Sequence, residues 1–229
     1  MDLMARYEDD YFDLAIVDPP YGIGMGGGKF GNSKTEFKQF AGSDECIPDA
    51  NYFKEMMRVS KNYIVWGGNY MTEFLPPKPC FIVWDKVQPE QFTMAMAELA
   101  ITSFNSPAKI FKQRIVGANK NGKIHPTQKP VMLYEWILMN FATCKTCKNE
   151  GGYYEDVSGD GGSQMRQVCD DCDTHERPVR ILDTHLGSGS IAIACHNLGF
   201  ELTGCELDKD YYEAAMKRIE QHKQQQRLF

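Results

Sequence analysis

Residues 180–208, RILDTHLGSGSIAIACHNLGFELTGCELD, decide the fold. An apolar run ends at Leu182 and Asp183, and a turn then carries Gly187 and Gly189. Ile191, Ile193, Ala194 and Leu198 follow at helical spacing, and a second apolar run ends at Cys205 and Glu206. Strand, glycine turn, helix and strand make one half of a doubly wound sheet. Glycines in such a turn let the backbone approach a ligand. An acidic side chain at the end of the second strand can hold ribose hydroxyls. The stretch therefore reads as a nucleoside-binding unit.

Gly187, Gly189 and Ala192 also satisfy a loose G-x-G-x-x-A, so a nicotinamide dinucleotide is a formal alternative. The carboxylate of Asp183, just before the turn, decides against it. It suits a cationic or amine-bearing ligand better than a pyrophosphate. S-adenosylmethionine has an ammonium, a sulfonium and a ribose, and no phosphate.

Outward from this unit, short apolar runs recur at 12–17, 63–66, 80–84, 99–102, 179–182 and 200–205. Several are nearly continuous in apolar character, as expected of strands covered on both faces. Helical patterns lie at 52–59, 131–141, 190–198 and 211–224. The alternation predicts an α/β fold with a mainly parallel, doubly wound, Rossmann-like sheet. Residues 143–177 break it, being polar and rich in Gly and Asp. The expected division is a main domain of residues 1–142 and 178–229, with an insert at 143–177.

The chain has 229 residues, 42% hydrophobic and 24% charged, enough for one core plus a small insert. No apolar run approaches the roughly 18 residues of a membrane span. The acidic start MDLMARYEDDYF lacks the pattern of a signal peptide, so a cytoplasmic protein is expected. A net charge of −6 excludes a globally basic nucleic-acid binder. Charge is nevertheless uneven. Between Glu98 and Glu135 there is no acidic residue, while Lys109, Lys112, Arg114, Lys120, Lys123 and Lys129 fall there. This window is either a solvated basic face or a surface for a polyanion.

The insert carries Cys144, Cys147, Cys169 and Cys172 as two C-x2-C pairs separated by twenty-one residues. Two thiolate pairs at this spacing predict a structural, tetrahedral Zn²⁺ site, a small zinc-ribbon-like insert. Its surroundings hold four basic residues and eight acidic ones between Cys144 and Arg177, which makes it a poor phosphate clamp.

An earlier stretch, VDPPYGIGMGGGKFG (17–31), contains a literal G-x-G-x-x-G at Gly22, Gly24 and Gly27. A dinucleotide fingerprint must open a helix, because the phosphate rests on that helix's N-terminus. No sustained helical stripe follows here. The glycines are expected to form a mobile flap instead.

Asp18-Pro19-Pro20-Tyr21 at a strand end, together with DTHLGSGS (183–190), resembles the amino-methylating DNA methyltransferases. The DPPY motif comes first and the glycine turn last, as in the circularly permuted beta group. HPTQKP (125–130) resembles the group's further cofactor motif, and NYIVWGGNY, CFIVWDK and AELAITSFN resemble its sheet motifs. The resemblance covers nearly the whole chain outside the cysteine insert, and phage or prophage adenine methyltransferases are similar. It implies S-adenosylmethionine as cofactor and methyl transfer to the N6 amine of a flipped adenine, in the setting of DNA methylation and restriction-modification. Cytosine-N4 methylation on the same scaffold is the nearest alternative. A non-catalytic zinc-containing DNA-binding or regulatory protein is the alternative of another class.

By that resemblance the catalytic group is Asp18, Pro19, Pro20 and Tyr21. The cofactor side is Asp183, Gly187, Gly189, Glu206, Lys129 and His125, with Asp2 at the cofactor's adenine. DNA contacts fall to Lys29, Lys112, Arg114, Lys120 and Lys123. The segment between the last sheet motif and HPTQKP is short, so target specificity is short, relaxed or supplied elsewhere. At the other end of the chain, Gln225, Leu228 and Phe229 resemble a peptide that docks on the bacterial sliding clamp.

Overall fold

The computed structural model describes residues 2–24, 28–29, 36–37, 46–89, 91, 95–114, 124–143, 152–156, 164–168 and 177–226. In chain order the strands are β1 (Leu14–Val17), β2 (Gly28–Lys29), β3 (Glu36–Phe37), β4 (Tyr63–Trp66), β5 (Phe81–Asp85), β6 (Ala97–Thr102), β7 (Lys109–Lys112), β8 (Gly152–Asp156), β9 (Gln164–Val168), β10 (Arg180–Asp183) and β11 (Glu201–Gly204). The helices are α1 (Ala50–Val59), α2 (Val131–Phe141), α3 (Ser190–Leu198) and α4 (Lys209–Gln226).

Seven strands form one sheet in the order β11-β10-β1-β4-β6-β5-β7. All neighbours pair parallel except β6, which runs antiparallel to both β4 and β5. The other two sheets among the described residues are two-stranded antiparallel pairs, β2 with β3 and β8 with β9.

The continuous apolar runs have a direct cause. In a strand, successive side chains point to opposite faces. Leu14 and Ile16 of β1 join a core with Ile64, Trp66, Ile82, Ile181, Leu133 and Ile191. Ala15 and Val17 join the opposite core with Tyr63, Val65, Phe53, Met56 and Val59. Helices α2 and α3 thus cover one face and α1 the other. With both faces covered, every position of β1 and β4 is buried, and the alternation disappears from the sequence. Each fully buried large apolar side chain contributes roughly 1.5–3 kcal/mol.

Helix α1 begins where Asp49 accepts the N–H of Tyr52 at 2.9 Å, satisfying one orphan donor of the first turn. Helix α3 is bracketed by Gly189 and Gly199, both left-handed. Helix α4 lays Tyr211, Ala215 and Ile219 inward at four-residue spacing.

The chain re-enters the main sheet through a charged clasp. Arg177 donates to both oxygens of Asp13 at 2.7 and 2.8 Å, and the Arg180 N–H adds a bond at 2.9 Å. Partial burial would raise the Asp13 carboxyl. Arg177 and its neighbours outweigh that and bring it from 3.8 to about 2. The clasp's contribution is therefore present above pH 4 and is lost as pH falls toward 2.

One strand of the seven-stranded sheet departs from the sequence reading. β7 forms from residues that read as part of the basic window. It lies at the sheet's edge, where Ile110 is exposed, and has no apolar run to announce it.

Candidate active site

The strand directions gather the chemistry. The C-terminal ends of β1, β4, β5, β10 and β11 and the N-terminal end of β6 share one edge of the sheet. From β1 the chain proceeds through α1 to β4 on one side, and from β10 through α3 to β11 on the other. The crevice between β1 and β10 is thus a topological switch point, where open α/β sheets bind ligands. Asp18 follows β1 and Asp183 ends β10.

Asp18 is held from two sides. The Tyr21 hydroxyl donates to its Oδ1 at 2.6 Å, and the Lys129 ammonium donates to its Oδ2. Burial, with Asp18 beside it, holds the Tyr21 phenol well above its usual range, so the hydroxyl keeps its proton. The Tyr21 ring lies parallel to that of Tyr70, with centroids 5.5 Å apart. It also fills the space over Gly67, whose left-handed backbone (φ +64°) turns the chain after β4.

Lys129 is buried, and its ammonium also lies 3.3 Å from Glu98 and 5.1 Å from the centroid of the Trp66 ring. Burial alone would push this ammonium down. The Asp18 and Glu98 carboxylates outweigh it and hold the group above its ordinary value. The sequence places Lys129 on the cofactor side. In the structure its side chain meets Asp18, while its backbone carbonyl accepts from Ser190 at 2.7 Å.

Across the crevice, the glycine turn is braced by Glu206 and Arg218. Glu206 accepts the N–H of Gly187 at 2.8 Å and that of Asp208 at 3.0 Å. Arg218 of α4 donates to the Ser188 carbonyl at 2.8 Å and to the Ser190 hydroxyl at 3.0 Å. Gly189 sits at φ +69°, and a Cβ there would stand 3.0 Å from Ile219 and 3.3 Å from Ala215. Glycine is needed there by the approach of α4 as well as by the turn. His125 is buried edge-on to Tyr211 at 4.4 Å and borders Gly187.

Asp183 is fully enclosed and accepts the His185 N–H at 2.9 Å. Burial raises its carboxyl from 3.8 to about 7, with Asp18 and Glu206 adding repulsion. Burial also holds His185 neutral, down to about 4. The folded state therefore binds the Asp183 proton more tightly than the unfolded chain. Its contribution favours the fold at low pH and is lost as pH rises from about 4 through 7. Asp183→Asn is expected to stabilise the protein by about 1–3 kcal/mol at pH 8 and much less at pH 5, read as melting temperature. An equal shift at both pH values would contradict this. A carboxylate retained where its charge is costly marks a functional position.

The remaining site candidates lie farther out. Asp2 is exposed. Lys112 and Arg114 are exposed on and just after β7, Lys112 being 4.0 Å from Asp85 and Arg114 donating to the Val87 carbonyl at 3.3 Å. Lys120, Lys123, Leu228, Phe229 and the four insert cysteines lie outside the described residues, as does the Lys29 side chain. Gln225 is exposed near the end of α4. Among the described residues no cluster of His, Cys, Asp and Glu could hold a metal.

Glu98, Lys86, Trp66, Tyr70, Ser190 and Arg218 join the site without having been singled out by sequence. The stretches AELAITSFN and NYIVWGGNY contain three of them, but nothing in those runs shows which side chains turn toward Asp18.

These strand-end groups define a methyltransferase-like fold, and comparison with known proteins agrees. The chain is 22% identical to the Type II methyltransferase M.HpaI of Haemophilus parainfluenzae over 255 aligned positions, covering 95% of this chain and 71% of that protein. Its structure superposes on the M1.HpyAVI–SAM complex with a TM-score of 0.50 at 16% identity, covering 94% and 91% of the two chains. TTHA0409 of Thermus thermophilus, complexed with S-adenosyl-L-methionine, superposes with the same score of 0.50 at 13% identity, covering 96% and 92%. No family model matches the chain. Among the described residues no helix is long and apolar enough to cross a membrane.

Proposed function

We propose that the chain is an S-adenosylmethionine-dependent DNA methyltransferase that acts on the N6 amine of an adenine flipped out of the duplex. The observation that carries this reading is the pairing, across one switch point, of Asp18-Pro19-Pro20-Tyr21 with the Asp183–Gly187–Gly189–Glu206 turn. The similarity to M.HpaI over most of both chains supports it.

The residues fit the cofactor. Asp18, Asp183 and Glu206 make this edge of the crevice acidic, and the enclosed Asp183 gains from a nearby cation. Such a set suits a sulfonium, an ammonium and ribose hydroxyls and disfavours a pyrophosphate. Glu206 already orients the turn through the Gly187 N–H and would take the ribose. His125 and Asp183 would border the same pocket. The cofactor supplies an electrophilic methyl.

An adenine amine is a weak nucleophile, because its lone pair is delocalised into the ring. The Asp18 carboxylate and the Pro19 carbonyl can each accept one of its N–H bonds, which localises that pair. Proline's fixed φ holds the carbonyl in place. The Tyr21 ring offers a stacking face for a base that chemistry cannot reach inside the duplex. Asp18 need not be a strong base, since the amine proton becomes acidic once nitrogen carries the methyl. Positioning supplies much of the rate. Lys112 and Arg114, with Lys29, Lys120 and Lys123, would meet the DNA backbone.

Incubating the protein with methyl-labelled cofactor and DNA of mixed sequence, then hydrolysing the DNA, tests this reading. Label is expected in N6-methyladenine. Label in N4-methylcytosine would replace the adenine assignment, and no label in either base would overturn the function.

The four insert cysteines are proposed to hold one structural zinc. The register of β8 and β9 supports this, because Gly152 pairs with Val168, and in the sequence one C-x2-C pair precedes β8 and the other follows β9. Elemental analysis should find one zinc per chain, lost on mutation of Cys144 and Cys147 to serine. A metal-free protein would refute it.

A further inference from the structure

The Asp18 carboxylate belongs to a chain of alternating charge whose two ammoniums are buried. Lys86 donates to Oε1 of Glu98 at 2.5 Å, Oε2 of Glu98 lies 3.3 Å from the Lys129 ammonium, and Lys129 donates to Asp18. Two carboxylates and two ammoniums cancel. Both lysine side chains are under one-tenth exposed, so each ion depends on its neighbours rather than on water.

The backbone around Lys86 is built to hold it there. Its N–H donates to the Met96 carbonyl at 2.9 Å, and the next N–H, that of Val87, donates to the Asp85 carboxylate at 2.8 Å. Val87 stands at φ +49°, a left-handed conformation that a β-branched residue adopts only under strain. Strain of this kind persists where the surrounding structure enforces it, and such sites cluster at functional positions.

Asp18 must accept an N–H from the target, on the reading given above. A cation bound to Asp18 alone would draw charge out of that carboxylate and weaken it as an acceptor. We infer that Glu98, held by Lys86, is a positioning residue that shares the Lys129 ammonium with Asp18 and so keeps the Asp18 carboxylate available to the target amine. This inference rests on the assignment of Asp18 as the amine acceptor and adds residues that no sequence motif assigns.

Every charged or titratable group around Lys129 bears on the test. Asp18 and Tyr21 face it from the segment after β1 and Glu98 from β6, with the Trp66 ring of β4 beneath. Asp183 of β10 senses its charge, and Tyr134 of α2 senses the surrounding carboxylates. Both phenols are held well above their usual range and do not titrate in the working window. Asp183 is present in both proteins, and its carboxyl, raised to about 7 chiefly by burial, lies below the range from pH 7.5 to 9.5 over which the two profiles are compared.

In Glu98→Gln, Lys129 keeps one carboxylate instead of two. Its ammonium then pairs with Asp18 alone at neutral pH and loses its proton more readily as pH rises. Single-turnover methyl transfer to unmethylated mixed-sequence DNA reads the outcome. The variant is expected to run at least about tenfold below wild type at pH 7.5 and to recover most of that loss by pH 9.5, with KM for DNA little changed. A merely structural role for Glu98 would lower the rate equally at every pH.

Transfer by the wild type with a Glu98→Gln profile parallel to it overturns the inference alone. No transfer by the wild type overturns the functional reading and this inference with it. Melting curves establish that the variant folds. If it does not, Glu98→Asp tests the same contact, since the shorter carboxylate withdraws from Lys129. The same loss at pH 7.5, smaller in size and recovering by pH 9.5, is expected. A Glu98→Asp profile parallel to that of the wild type would overturn the inference.

Discussion

Asp18→Ala is expected to lower the rate of methyl transfer by about 10³-fold or more while cofactor binding persists. The carboxylate is the one anionic acceptor that the DPPY segment offers to a target amine, and its two oxygens are already oriented by Tyr21 and Lys129. Truncation removes the acceptor without opening the core, because Asp18 lies at the strand end and Val17 remains buried behind it. Lys129 keeps Glu98 as a partner, so the buried ammonium is not stranded. Glu206 and the glycine turn are untouched, and calorimetry should find S-adenosylmethionine bound nearly as tightly as before. Residual transfer within about tenfold of wild type would show that another group accepts the amine.

Gly67→Ala is expected to cost about 10²-fold in kcat, through displacement of a reacting group rather than loss of one. A Cβ on Gly67 would stand 2.2 and 2.3 Å from two ring carbons of Tyr21. Real Cβ atoms do not approach that closely, so the ring must move. Moving it breaks the 2.6 Å bond to Asp18 and the stack on Tyr70. The left-handed φ of +64° adds roughly 1–2 kcal/mol of strain to the variant. Gly68→Ala is the control. Its nearest contacts would be with Ile101, at 2.8 Å, rather than with Tyr21, and it should reduce stability with a much smaller loss of kcat. If the two variants lose activity in proportion to their melting temperatures, the Tyr21 argument fails.

Both expectations depend on contacts that differ in how visible they are before folding. The strands β1, β4 and β10 are legible because a sheet covered on both faces turns every position apolar. The glycine turn before α3 is legible because few residues other than glycine tolerate a left-handed backbone. The fingerprint at Gly22, Gly24 and Gly27 fails by its sequence context, and among the described residues the next helix begins at Ala50. β7 escaped because an exposed edge strand buries too little to leave an apolar run. Its sequence Lys-Ile-Phe-Lys stands out by charge instead.

The amino-acid sequence alone determined the alternating α/β order, the acidic strand ends and the two motifs that flank the crevice. Those properties are local, written in periodicity, glycine and the last residue of each run. Only the tertiary structure decided that Lys129 points at Asp18, 111 residues away, and that Glu98 and Lys86 stand behind it. The reason is the antiparallel course of β6. Running against its neighbours, it brings the N-terminal end of that strand, with Glu98, to the edge where the other strands end. Strand direction follows from the path of the whole chain, and no spacing within the run AELAIT records it.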